Sequence, residues 1–164
     1  MAKIFLLGAQ GVTDLPQTVV DWVYAYHQQG HQFIVGDTHG DSNFHRLLSS
    51  IGAAGTSEIY CMDSPTVNKF NLPVKSFSTS YDEETKTAVI TASDNSIEPV
   101  AIEGIGKVTE IANNREWYEF KDKLMISECA LAILVIPEGE IQKRIDTIIT
   151  RLNLRDKQCY VFRV

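Results

Sequence analysis

The hydrophobic positions of this chain change period along its length, and the changes mark out its elements. Residues 3–7 form an apolar run that stops at Gly8, and residues 31–35 repeat the design up to Gly36. Runs of this kind suit parallel strands buried on both faces. Between them, Leu15, Val19, Val23 and Tyr26 recur at helical spacing, which predicts a helix over 15–29. Thr13 or Asp14 would cap it, Pro16 suits its first turn and Gly30 its end. A second helix, capped by Asp41 or Ser42, would turn Phe44, Leu47, Leu48 and Ile51 inward and end near Gly52, before a short strand at 59–62.

The alternation changes again after Asp63. Residues 75–81, 86–93 and 97–105 read as strands separated by polar turns, rich in Thr, Val and Ile and without helical spacing. They predict a small antiparallel meander inserted at about 76–112. Helical spacing returns over 114–128 through Trp117, Phe120, Leu124 and Met125. The nearly unbroken apolar run 130–136 predicts a central parallel strand. A last helix over 139–154 would pack Ile141, Ile145, Ile148, Ile149 and Leu152, and 159–164 would close the chain as a strand. The expected fold is a single α/β domain over 1–164, a Rossmann-like three-layer α/β/α sandwich. Its sheet would be mostly parallel, with about five strands and an inserted meander.

Composition narrows the function classes. The 164 residues suffice for one full core, and 44% hydrophobic with 22% charged residues is ordinary for a globular protein. A net charge of -6 makes a nucleic-acid partner unlike this chain. The charge is uneven: 76–114 holds seven acids against two lysines, whereas 141–164 holds six Lys/Arg against two Asp. The three cysteines, Cys61, Cys129 and Cys159, lie at no metal-ligand spacing and read as free thiols of a reducing compartment. No leader-like segment opens the sequence and no apolar run reaches membrane-spanning length, so a cytoplasmic protein without a membrane partner is expected.

The chemistry concentrates after the first two strands. Gly8-Ala9-Gln10-Gly11 precedes a helix, where close backbone approach and free N–H groups favour an anion. It lacks the third glycine of a dinucleotide fingerprint and the lysine of a P-loop. Gly36-Asp37-Thr38-His39-Gly40-Asp41 is similar to the first metal motif of the calcineurin-like phosphoesterases. That family's later metal motifs are missing and the chain has only four histidines, so no metal and no cofactor is expected. Two glycine loops at the ends of neighbouring parallel strands predict a crevice for a phosphate or nucleotide.

A second resemblance covers more of the chain. Leu15-Pro16 before a helix, Gly36-Asp37-x-x-Gly40, Asn71-Leu72-Pro73-Val74-Lys75, and Lys121-Asp122-Lys123-Leu124-Met125 before the apolar strand occur in the order of the SLOG superfamily. This Rossmann-like group includes the LONELY GUY phosphoribohydrolases and the DNA-processing protein A fold, and the likeness spans about 3–75 and 115–164. It implies a nucleotide-like ligand at the carboxyl ends of the strands. Gly8, Ala9, Gln10 and Gly11 would border its phosphate or base, and Gly36, Asp37, Thr38, Gly40 and Asp41 its ribose or phosphate. Lys121 and Asp122 would reach in from the late helix, and Gly139 would lie beside the ligand.

Two departures bear on the chemistry. The Ser-Arg that often follows the family's first glycine is Ala9-Gln10, which removes a cation, and its Gly-Thr phosphate loop is replaced by Pro137-Glu138-Gly139-Glu140. Glu138 and Glu140 would repel a phosphate there. They read either as ordinary helix N-terminal charge or, for Glu138 with Asp37 as partner, as carboxylates able to stabilise a ribosyl oxocarbenium ion. The expected function is thus a binding protein or sensor for a nucleotide-derived small molecule with degenerate catalytic features. The alternatives are an N-glycosidase or nucleoside deoxyribosyltransferase, and a protein-interaction module without a ligand, using the acidic meander for contact or self-association.

Overall fold

The computed structural model describes residues 1–139 and 142–164. Its centre is one sheet of eight strands. The strands are β1 (Lys3–Gly8), β2 (Gln32–Val35), β3 (Ser57–Met62), β4 (Val74–Asp82), β5 (Thr87–Ala92), β6 (Val100–Ile102), β7 (Leu131–Ile136) and β8 (Gln158–Arg163), in the order β6-β5-β4-β3-β2-β1-β7-β8. The pairs β4–β3, β3–β2, β2–β1, β1–β7 and β7–β8 are parallel, while β4–β5 and β5–β6 are antiparallel. The result is an α/β fold on a mostly parallel sheet, with a purely antiparallel wing at one edge.

The two central strands explain why the apolar runs were so legible. Ile4 through Leu7 of β1 and Ala132 through Ile136 of β7 are all buried, as strands covered on both faces must be. The strands expected as an inserted meander do form, but β4 pairs parallel to β3, with Ile59 opposite Val74, so the meander extends the main sheet. No helix links β3 to β4; residues 63–73 make that crossing as a loop whose Val67 and Leu72 are buried. Along the wing Phe77, Ala88, Ile90, Ala92 and Ile102 are buried between exposed neighbours, the alternation of a sheet covered on one face.

The helices are α1 (Gln17–Gln28), α2 (Ser42–Ser50), α3 (Arg115–Tyr118), α4 (Phe120–Glu128) and α5 (Lys143–Leu154). Pro16, not Thr13 or Asp14, stands at the start of α1, and the Asp14 carboxylate accepts the Leu15 N–H instead. The single helix expected over 114–128 is two, parted at Glu119, with Asn114 capping the first by accepting the Trp117 N–H. The last helix starts at Lys143; Glu140 and Ile141 lie outside the described residues.

Side chains lock these layers to the sheet. Trp22 of α1 meets Tyr160 and Phe162 of β8 edge-on at 5.0 and 5.2 Å between ring centroids. Tyr60, Phe77 and Phe120 form a similar aromatic chain on β3, β4 and α4, and the Tyr60 hydroxyl donates to Glu128. The Lys157 ammonium donates to the carbonyls of Ile126, Ser127 and Cys129 at 2.7, 2.8 and 2.6 Å, closing the C-terminus of α4 with a cation. Among the described residues, no helix is long and apolar enough to cross a membrane.

Candidate functional site

The strand order reverses at β1, because the chain builds outward through β2, β3 and β4 on one side and through β7 and β8 on the other. Ligands of open parallel sheets bind outside the carboxyl ends of the strands at such a reversal. The loops that end β1, β2 and β7 therefore define where a site should be.

The loops after β1 and β2 do not leave a crevice between them. A Cβ on Gly8 would lie inside contact distance of the Gly40 carbonyl oxygen, and one on Gly40 inside that of the Ala9 and Gly8 oxygens. The two backbones touch, so these glycines serve loop-on-loop packing. Asp41 fastens the junction from a position 1% exposed. Its Oδ1 accepts the Gly8 N–H at 3.0 Å, and its Oδ2 accepts the Thr38 N–H and hydroxyl at 3.1 and 2.8 Å. Gly36 is small for the same reason, since a Cβ there would stand 2.5 Å from the Asp41 carboxylate. Asn43 adds a bridge, its amide donating to the carbonyls of Val12 and Gly40 at 2.9 and 3.0 Å. Below the junction the buried His45 places Nε2 2.8 Å from the Gly36 carbonyl, to which it donates.

Gln10 and Gly11, just past this junction, are exposed. Gly11 holds φ +94° beside the Pro137 ring, and the Gln142 amide donates to the Gln10 carbonyl at 3.0 Å. An open cavity of about 440 Å³ lies on this side, lined by Gly11, Thr13, Pro16, Pro137, Arg163 and Val164 among others. It sits at the carboxyl ends of β1, β7 and β8 and beside the start of α1.

Asp37, at the end of β2, meets α4 from a distance of 84 residues. The Lys121 ammonium donates to its Oδ1 at 2.8 Å, and the Thr66 N–H to its Oδ2 at 2.8 Å. The pair is almost enclosed, with side chains 11% and 10% exposed. Burial alone would raise the Asp37 pKa, but the Lys121 charge and the hydrogen bonds from Lys121 and Thr66 outweigh it and hold the carboxyl below its ordinary value. The neighbouring Cys61 thiol is pushed up to about 11, first by burial and then by the Asp37 charge, so it is a protonated, unreactive thiol.

Asp122, the next residue on α4, is held by Arg144 of α5 in a two-pronged pair, Nε to Oδ2 at 2.9 Å and Nη2 to Oδ1 at 2.8 Å. For Arg144 burial works against the charge, but Asp122, with Asp41 and Asp37 behind it, reverses that and raises the pKa above the usual arginine value. On helical spacing Arg144, Arg151 and Arg155 share one edge of the last helix, which reads as a solvated face or as a surface for an acidic neighbour. Thr66 and Arg163 are site residues that the sequence alone did not single out.

The two residues proposed for glycosidic chemistry stand apart. Glu138 is exposed just past β7, and its backbone N–H bonds the Val164 carbonyl at 2.8 Å. Among the described residues, no hydrogen bond or ion pair joins its carboxylate to Asp37, and β1 lies between the two strand ends. Gly139 is exposed at φ +104°, and Glu140 lies outside the described residues. No group of three or more His, Cys, Asp or Glu is placed to hold a metal among the described residues.

Comparison with known proteins gives this geometry no named counterpart: the chain matches no family model, no curated protein and no solved structure. The class that the fold defines is an α/β protein on a mostly parallel sheet, with its polar loops and charged pairs gathered at the carboxyl ends of the strands.

Proposed function

We propose that this chain is a Rossmann-like, SLOG-type binding protein or sensor that takes a nucleotide or nucleotide-derived small molecule at the carboxyl edge of its sheet. One observation carries the reading: the open 440 Å³ cavity at the ends of β1, β7 and β8, where the strand order reverses. The volume suits a small ligand; Arg163 and the N-terminal turn of α1 favour an anion there, against the Asp14 carboxylate, which also lines the cavity and accepts the Leu15 N–H. The catalytic features are degenerate. Asp37 is engaged by Lys121 and Thr66, and among the described residues the exposed Glu138 carboxylate enters no hydrogen bond or ion pair that would position it against a ribose.

The test is thermal unfolding against nucleosides, nucleotides, cyclic dinucleotides and ADP-ribose derivatives. A ligand at one hundred times its Kd adds about 2.7 kcal/mol, a shift of several degrees. The shift should vanish in Thr13→Trp, which fills the cavity from an exposed loop position. A flat panel, or a shift that survives Thr13→Trp, overturns the reading. Release of free base that stops in Glu138→Gln would favour an N-glycosidase instead.

A further inference from the structure

We propose that the cavity between α3, α4 and α5 binds the phosphate group of a small phosphorylated molecule. It is separate from the crevice at the ends of β1, β7 and β8, shares no lining residue with it, and does not depend on the nucleotide reading.

The cavity holds about 320 Å³, room for a sugar phosphate, and gathers Arg115, Lys143, Arg144 and Arg151 against two carboxylates, Glu119 and Asp122. In a chain of net charge -6 this local excess of cation is a departure. A purely structural network would balance its charges, because unmatched like charges in a half-enclosed space repel. Here both carboxylates are already fully engaged. Asp122 takes both prongs of Arg144, and Glu119 accepts from Arg151 Nη2 at 2.6 Å and Arg115 Nε at 3.1 Å. The acids therefore hold the guanidinium groups in place without exhausting their donors. Among the described residues, Arg144 keeps Nη1, Arg115 keeps both terminal nitrogens, Arg151 keeps two of its three nitrogens, and Lys143 enters no ion pair.

Pre-positioned guanidinium groups with donors to spare are the chemistry that recognises a tetrahedral oxyanion. A phosphate monoester carries about -1.5 to -2 at neutral pH, and the lining residues offer it an excess of two cations, with the Asp41 charge behind Arg144 offsetting part of it. Lys143 and Arg144 stand in the first turn of α5, where the helix dipole adds to the attraction. Ile148 and the Tyr118 ring supply an apolar wall for an organic remainder.

The experiment is calorimetric titration with inorganic pyrophosphate and ribose 5-phosphate, with sodium chloride at matched ionic strength as reference. Saturable binding is expected, unchanged in Thr13→Trp and weakened about tenfold or more in Arg115→Ala/Lys143→Ala. These two side chains are exposed, and their removal spares the Arg144–Asp122 and Arg151–Glu119 pairs. Should the double variant fail to fold, Lys143→Glu tests the same point from one exposed position. Tighter pyrophosphate would identify inorganic polyphosphate as the ligand, and tighter ribose 5-phosphate a sugar phosphate. Heats no larger than those of chloride, or binding intact in the folded variants, overturn the proposal. Loss of nucleotide binding at the strand-end cavity, with these titrations intact, would sink the other reading and leave this one standing.

Discussion

Two polar regions meet near the carboxyl edge of this sheet, and they use the same kinds of residue to opposite ends. At the junction of the loops after β1 and β2, the polar groups of Gly8, Gly36, Gly40, Thr38 and Asp41 find partners within the fold, and backbone lies on backbone. On the α3–α4–α5 side, arginines and a lysine surround an open cavity and retain donors that no hydrogen bond among the described residues takes up. A glycine-rich polar loop after a strand is thus no assurance of a ligand site. What separates the two regions is whether the polar groups find their partners inside the fold.

The widest gap between them is in tolerance to substitution. Gly40→Ala forces a Cβ into the Ala9 and Gly8 carbonyls, which are backbone and have no rotamer to escape into. The expected cost is about 4 kcal/mol or more, seen as loss of the cooperative urea transition under conditions where the parent is folded. Asp41→Ala comes next. It removes the acceptor for the Gly8 and Thr38 N–H groups at a site 1% exposed, and should cost about 2–4 kcal/mol by urea unfolding. A ligand-binding role without a structural one would leave the midpoint in place and change only binding.

The sequence carried the parallel strands and most helices plainly, for a physical reason. Strands covered on both faces must be apolar throughout, as in β1 and β7, and α5 shows its buried stripe at Ile145, Ile148 and Leu152. The edge wing was harder. Period-2 alternation says that one face is covered, but not which backbone neighbours the strand, so the same pattern fits a separate meander and a continuation of the main sheet. The break at Glu119 was invisible because a one-residue interruption barely disturbs a 3.6-residue period. Asp37 and Lys121 were expected at one edge, and they meet across 84 residues. The engagement of Asp41 by Gly8 and Thr38 could not be read, since a carboxylate beside a helix start looks alike whether it faces a ligand or the protein.

Asp37 stands between the two regions, sharing the loop of Asp41 while pairing with a cation from α4, and its ionisation gives the comparison a pH axis. Its pKa is lowered in the folded protein, so its contribution is complete above the unfolded carboxylate value of about 3.9 and is lost as pH falls through the lower folded value. Asp37→Asn should destabilise by about 1–3 kcal/mol at neutral pH. Urea unfolding carried down to about pH 3 should show the parent approaching the variant as the Asp37 carboxyl takes up its proton. A difference that stays constant across that range would mean that the charge on Asp37 contributes nothing and only its shape matters.

The smallest effect is expected on the cationic side, and it sharpens the contrast most. Arg115 is 73% exposed in its pair with Glu119, an i,i+4 contact on the surface, and Glu119 keeps Arg151 when Arg115 is gone. Exposed pairs of this sort are worth at most about 0.5 kcal/mol, so Arg115→Ala should move the urea midpoint barely at all. A guanidinium that stability does not require, beside a cavity with excess positive charge, is what a binding surface contains and a structural network does not. A loss above about 1 kcal/mol would instead place Arg115 with Asp41, as a group the fold consumes, and would remove the main physical difference between the two regions.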